Sequence, residues 1–232
     1  MRIFLVRHGE SLGNVDKTTH ASMADHAIPL SDKGIKEAQV SAEVLTQFLK
    51  DAYTWELEKY PQLNQREAPK IKVWSSPYKR TRQTAEKFVS NLEMNFAALK
   101  YQEHVLLCEQ QFGLFDGIPD EQLPEIYPEE QAHYAKCEQF EGRFWARMPL
   151  GESRFDVAAR IHQCFDEFKK DVKNGYTDLV VVCHGVSLRA FVMMWCGKEF
   201  EWFDREQNPK NCSIRLIEGN HDRGYLYIPG DI

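Results

Sequence analysis

Apolar residues along this chain gather in short unbroken runs and in longer periodic stretches. Residues 3–6 (Ile-Phe-Leu-Val) form the first run and predict a buried strand. Residues 71–74 predict a second strand and 104–107 a third. Residues 178–183 are the most apolar run, and that strand is expected to be central and covered on both faces. Near the end, 214–217 and 225–228 predict two closing strands joined as an edge hairpin over 218–224.

Between these runs the apolar period changes to that of a helix. Ser31 is a suitable N-cap, and Ile35, Ala38, Ala42, Leu45 and Phe48/Leu49 follow with helical spacing. Residues 51–70 are polar and aromatic with Pro61 and Pro69, and read as a surface insertion whose Tyr53, Trp55 and Tyr60 cap the core. A second helix starts near Tyr78, with Ala85, Phe88, Val89 and Leu92 inward. Val157, Ile161, Cys164/Phe165, Phe168 and Val172 mark one long amphipathic helix, which Gly175 ends. A last helix covers 188–195. Two spans lack a period. Residues 15–27 read as a loop over the mouth of a site, with His20 and His26 solvated, and 118–150 as short helices forming a cap. Strands alternating with helices predict an α/β fold. With 232 residues and no linker or repeat, one domain over 1–232 is expected, with the cap inserted in it.

Composition narrows the function. The net charge of −6 argues against nucleic acid as the main partner, while leaving room for a local cationic pocket. No apolar run is long enough to span a membrane, and charges at Arg2 and Arg7 interrupt any signal peptide. The six cysteines are scattered without a Cys-x-x-Cys pair, so no structural zinc site is expected. A reduced, cytoplasmic protein is the plain reading. No pattern bears on oligomeric state.

The chemistry-bearing residues stand where runs end. Residues 3–6 lead into Arg7-His8-Gly9-Glu10-Ser11, which delivers a guanidinium and an imidazole to one strand end. A guanidinium offers a planar fork of donors to phosphate oxygens, and a neutral imidazole can be a nucleophile. The 178–183 run leads likewise into His184-Gly185 and a helix N-terminus, a favourable place for an anion. Ser75-Ser76-Pro77 ends the second strand ahead of Arg80 and Arg82.

These blocks, taken in order, resemble the histidine phosphatase superfamily, the phosphoglycerate-mutase-like proteins. Arg7-His8-Gly9-Glu10-Ser11, Leu30-Ser31-Asp32-Lys33-Gly34, Ser75-Ser76-Pro77 with Arg80 and Gln83-Thr84-Ala85, Glu109 before Gly113-Leu114-Phe115-Asp116-Gly117, and His184-Gly185 match its signatures. The resemblance implies a three-layer α/β/α sandwich around a mostly parallel sheet. It implies phosphoryl transfer from a small phosphorylated substrate to His8, with Arg7, Arg80 and His184 around the phosphoryl group and Glu109 as general acid and base. It implies no cofactor and no metal. Asn14 takes the place of a phosphate-contacting Asn, and Gly185 joins the binding set; Arg82 is expected to point elsewhere. Arg143 and Arg147, one helical turn apart in the cap, could meet a second anionic group. A cofactor-dependent mutase is the alternative, although Gly13 stands where mutases usually carry Trp. A non-catalytic binding module on the same fold is the other alternative.

Overall fold

A computed structural model of the chain describes residues 1–59, 69–96 and 98–230. Six strands form one sheet: β1 (Arg2–Arg7), β2 (Lys70–Ser75), β3 (Ala98–Glu103), β4 (Asp178–Cys183), β5 (Ile214–Glu218) and β6 (His221–Tyr227). Their order across the sheet is β3-β2-β4-β1-β5-β6. The first four are mutually parallel, and β5 and β6 are antiparallel additions. The helices are α1 (Leu12–Val15), α2 (Thr19–Ser22), α3 (Asp32–Lys59), α4 (Lys79–Glu93), α5 (Leu123–Ile126), α6 (Pro128–Glu141), α7 (Arg154–Gln163), α8 (Phe165–Lys173), α9 (Gly185–Cys196) and α10 (Phe200–Arg205).

The expected sandwich is present. Alternate residues of a strand face opposite sides, and the strands here are apolar on both. Phe4, Val6, Ile71, Val73, Val180 and Val182 pack with Ala42, Leu45 and Leu49 of α3 and Ala85, Phe88 and Leu92 of α4. Ile3, Leu5, Trp74, Leu179 and Val181 pack on the other face with α7, α8, α9 and α10, through Ile161, Phe168, Phe191 and Phe203 among others. Each fully buried side chain of this size contributes about 2 kcal/mol of transfer free energy. Strand β4 lies in the middle, and all six of its residues are buried, as its composition predicts.

Several expectations need correction. The predicted strand at 104–107 is a 3-10 turn over Val105–Leu107, with Val105 exposed. The actual edge strand is the more polar Ala98–Glu103. Helix α3 runs on through residue 59, so 51–59 is helix rather than insertion. There Tyr53 packs at the core edge and donates to the Asp178 carboxylate, while Trp55 is exposed. Tyr60 lies outside the described residues. Ile35 is exposed and falls off the buried stripe of α3. The run after Ser153 is two helices that meet at Cys164. The hairpin turns at Gly219, so β6 begins at His221, earlier than its apolar residues indicate.

The cap has its own small core: Phe115, Leu123, Tyr134 and Ala146. Helix α6 ends at Gly142, whose φ of +89° disfavours any residue with a side chain. Arg143 therefore lies in a turn after the helix and Arg147 in irregular chain beyond it, and the two do not share a helical face.

Candidate active site

The three central strands end side by side, and each hands over to a polar residue. After β1 comes His8, after β4 His184, and after β2 Ser76. The sheet register continues through them. The His8 amide donates to the Cys183 carbonyl (3.0 Å), and the Ser76 amide donates to the Val182 carbonyl (3.0 Å). Residues more than 100 positions apart are thereby held by neighbouring strands. The rings of His8 and His184 meet edge to face with centroids 5.2 Å apart. Both side chains are buried.

The orientation of His8 is set locally. Its Nδ1 lies 2.7 Å from the Gly9 carbonyl. A carbonyl only accepts, so Nδ1 carries the proton and Nε2 holds the bare lone pair. Burial pushes the His8 pKa well below its ordinary value, and Arg80 and Arg7 push it further down. The imidazole is thus neutral at neutral pH. Burial does the same to His184, reinforced by Arg80 and His8.

Gly9 is pressed against the start of α3. A Cβ there would lie 2.4 Å from the Gly34 carbonyl oxygen, and a Cβ on Gly34 would lie 2.0 Å from that of Glu10. Ser31 caps α3 by accepting from the Gly34 amide (3.0 Å), and its hydroxyl donates to Glu10 (2.8 Å). From α4, the Thr84 hydroxyl accepts from the Gly9 amide (3.1 Å).

Arg7, His8, Arg80 and Glu109 line one cavity of about 790 Å³, whereas His184 is fully buried against His8 and is not among the lining residues. Arg7 donates to the Pro209 carbonyl (2.5 Å), and its buried Nε has no hydrogen-bond partner among the described residues. Arg80 is buried, with its guanidinium 4.9 Å from the Tyr78 ring centroid. Both its terminal nitrogens donate to the Asp25 carboxylate, at 2.8 and 3.2 Å. Arg82 points outward to Glu103 (2.6 Å), as expected. Glu109 is partly buried. Desolvation raises its carboxyl pKa, opposed by the Gln110 amide and by Arg80, Arg7 and Arg160.

Of the remaining predicted residues, Asn14 lines the cavity, and its Oδ1 accepts from the Ser11 and Asn211 nitrogens (3.0 and 3.3 Å). Arg143 also lines it, beside Glu138 (3.5 Å). Arg147 does not; it is exposed and pairs with Asp156 (2.6 Å). Gly185 is not a lining residue either. Its lack of a side chain makes room for Asn208, whose Oδ1 would be 2.2 Å from a Cβ at 185, and it is Asn208 that reaches the cavity.

Other participants carry no local signal in the sequence. His20 is no solvated loop residue: it lines the cavity, with Nδ1 3.6 Å from Asp25 and 3.7 Å from Asp116. His26 remains exposed, as expected. Arg160 of α7 straps down the Glu109 loop, donating to the carbonyls of Leu106 (2.6 Å), Cys108 (2.9 Å) and Glu109 (2.9 Å). Arg154 and Arg189 join Arg143 on the cavity wall. Arg154 pairs with Asp204 (2.7 Å), whereas Arg189 donates to backbone carbonyls, that of Glu206 at 3.1 Å. Burial, then the nearby Arg154, lowers the Arg189 pKa to about 10. The helix face bearing Arg189 is found from its position one turn after Gly185, and only once α9 is known to open at the site.

Comparison with known proteins places the chain in a family. Residues 3–228 match the model of the histidine phosphatase superfamily, branch 1, and the chain belongs to that family. It is 30% identical over 227 residues to phosphoglycerate mutase-like protein AT74 of Arabidopsis thaliana, an alignment covering 94% of this chain and 64% of that protein. The chain thus spans slightly less than two thirds of that relative. It is 25% identical over 284 residues to the broad-range acid phosphatase DET1 of Saccharomyces cerevisiae, covering 93% of this chain and 84% of that one. The crystal structure of an α-ribazole phosphatase from Shigella flexneri shares the fold, with a TM-score of 0.68, 18% identity and full coverage of both chains. Among the described residues, no helix is long and apolar enough to cross a membrane.

Proposed function

We propose that this chain is a phosphomonoester hydrolase that works without a metal ion, through a phosphohistidine on His8. The observation that carries the reading is the convergence of His8, Arg7 and Arg80 on one cavity, with His184 packed against the His8 ring behind it and the proton of His8 held on Nδ1 by the Gly9 carbonyl. Nε2 of His8 then attacks phosphorus, and the bond to the leaving oxygen breaks. The Glu109 carboxyl gives its proton to that oxygen. Water next attacks the phosphohistidine, Glu109 takes a proton from it, the P–N bond breaks, and inorganic phosphate leaves. Arg7, Arg80 and His184 supply donors where charge grows, which is the main source of catalysis in phosphoryl transfer.

A depressed His8 pKa keeps the nucleophile bare in acid, and a raised Glu109 pKa lets the acid form persist above the ordinary carboxylate range. That supports an acidic working range, as the name of the yeast relative records for that protein. Arg143, with Arg154 and Arg189, stands where a second charged group of a small substrate would reach. The described cysteines are all free thiols, which fits work in the cytoplasm.

The test is hydrolysis of para-nitrophenyl phosphate with a chelator present, in wild type and in His8→Ala. Loss of the covalent step should cost at least about 10³-fold in rate. Turnover by His8→Ala near that of wild type would reject the reading. Conversion of 3-phosphoglycerate with bisphosphoglycerate, without net phosphate release, would favour a mutase instead.

A further inference from the structure

We propose that Ser76 is a positioning residue that sets the tautomer of His184, so that Nδ1 carries the proton offered to the phosphoryl group. The inference rests on the phosphatase reading above. It begins with an asymmetry between the two histidines. His8 takes its tautomer from a backbone carbonyl, which leaves no choice. The partner of His184 is a hydroxyl: Nε2 lies 2.9 Å from Ser76 Oγ, which can donate or accept. The other nitrogen, Nδ1, is buried without a hydrogen-bond partner among the described residues. An orphaned buried polar atom is costly unless a ligand completes it.

Two arrangements are possible. If Nε2 carried the proton, Nδ1 would present a lone pair. A phosphoryl oxygen also presents lone pairs, so the two would repel, and the orphan would stay unsatisfied. If Ser76 donates to Nε2, Nδ1 becomes an N–H on a ring packed against His8, and the orphan is then the donor that an anion on His8 needs.

The surroundings of Ser76 favour the second arrangement. Its Oγ already accepts from the Tyr78 amide (3.4 Å). The hydroxyl has one proton, and its acceptors are the imidazole nitrogen and the neighbouring Cys108 sulfur. Sulfur is the weaker acceptor. Burial raises the Cys108 pKa, so the thiol keeps its own proton and does not become a competing thiolate. Ser76 itself is held by the ladder: its amide donates to Val182, and its carbonyl accepts from the Thr81 hydroxyl (2.9 Å). The Tyr78 ring packs edge to face on His184, with centroids 5.0 Å apart, and limits rotation of the imidazole. Burial and neighbouring cations keep His184 neutral, so the choice is between two neutral tautomers.

The experiment is long-range ¹H–¹⁵N correlation of the ¹⁵N-histidine-labelled protein, which separates Nδ1–H from Nε2–H imidazoles. His184 is assigned by the signal lost in His184→Asn. Wild type is expected to show a protonated Nδ1 and a bare Nε2 at His184. In Ser76→Ala the signal should move toward the Nε2–H form, with kcat down about 10- to 100-fold, less than the loss of a direct oxyanion donor. KM should change little, and Ser76→Thr should restore both tautomer and rate. A wild-type His184 protonated on Nε2 overturns the proposal without any variant, as does a Ser76→Ala protein that keeps both the Nδ1–H signal and full kcat. Acid-quench trapping of phosphohistidine in wild type tests the phosphatase reading separately. Absent phosphohistidine with the expected tautomer would sink that reading and leave the Ser76–His184 assignment standing.

Discussion

Replacing Glu109 by Gln separates the two chemical steps. Gln keeps the shape, and its carbonyl can still accept from the Gln110 amide that now donates to Glu109 at 2.9 Å. It cannot transfer a proton. General acid catalysis contributes about 10²–10⁴-fold, or about 2.7–5.5 kcal/mol of barrier. That loss should fall on the first turnover only when the leaving oxygen needs a proton. An alkyl phosphate such as glycerol phosphate needs one; nitrophenolate departs as a stable anion. Rapid-mixing assays of Glu109→Gln should therefore show a fast burst of nitrophenol, stoichiometric with enzyme, followed by slow release of phosphate. The first turnover of glycerol phosphate should slow by the full factor. The pH profile adds a sign. Burial raises the Glu109 pKa, so the acid form persists above the ordinary carboxylate range, and the falling alkaline limb for alkyl substrates lies above pH 4.5. That limb should vanish in the variant. Equal slowing of the first turnover for both substrates would refute the assignment of Glu109 as proton donor.

Asp25→Ala should free the Arg80 fork and lower kcat/KM about 10- to 100-fold, since charge-assisted hydrogen bonds of about 1.5–3 kcal/mol hold it; unchanged kinetics would show that Arg80 is positioned without Asp25. Acid should destabilise the fold through His8 and His184. Both have native pKa values depressed below 6.5, so below pH 6.5 the unfolded chain binds protons that the native one does not. Stability should fall by about 1.4 kcal/mol per pH unit for each histidine, partly offset by Glu109, whose raised pKa acts in the opposite sense. Urea midpoints at pH 7 and 5.5 measure this, and equal midpoints would contradict it.

The parts of the site carried by strand ends were legible in the sequence, because an unbroken apolar run followed by a polar residue marks where a chain leaves a buried layer. That logic located His8 and His184; Ser76 stood in the block that ends the second strand, but no role could be read for it there. It misled at 104–107, where apolar residues serve a turn packed under α7, while the true edge strand is polar because one side is open to water. Contacts made by loops left no such trace. Asp25 and His20 lie in a polar stretch whose place over the site mouth could be read, but whose side chains look solvated; only the folded path brings them to Arg80 and Asp116. Arg147 shows the converse: the spacing implied a shared helical face, but Gly142 ends the helix first. The opening Leu30-Ser31-x-x-Gly34 was recognisable as a motif, yet its reason, the contact of Gly34 with the Glu10 carbonyl, is tertiary.

That glycine-to-glycine contact between residues 9 and 34 leaves the nucleophile's loop no hinge of its own. Main chain touches main chain there, so the loop cannot swing away from α3 without breaking the bonds that the Ser31 hydroxyl and amide donate to Glu10. The far side of the chamber is built differently: the segment around Tyr134 and Arg143 rests on a core of its own, separate from the two that sandwich the sheet. Floor and roof are thus supported independently, and a substitution in the cap's core should disturb the wall at Arg143 without moving the main chain around His8.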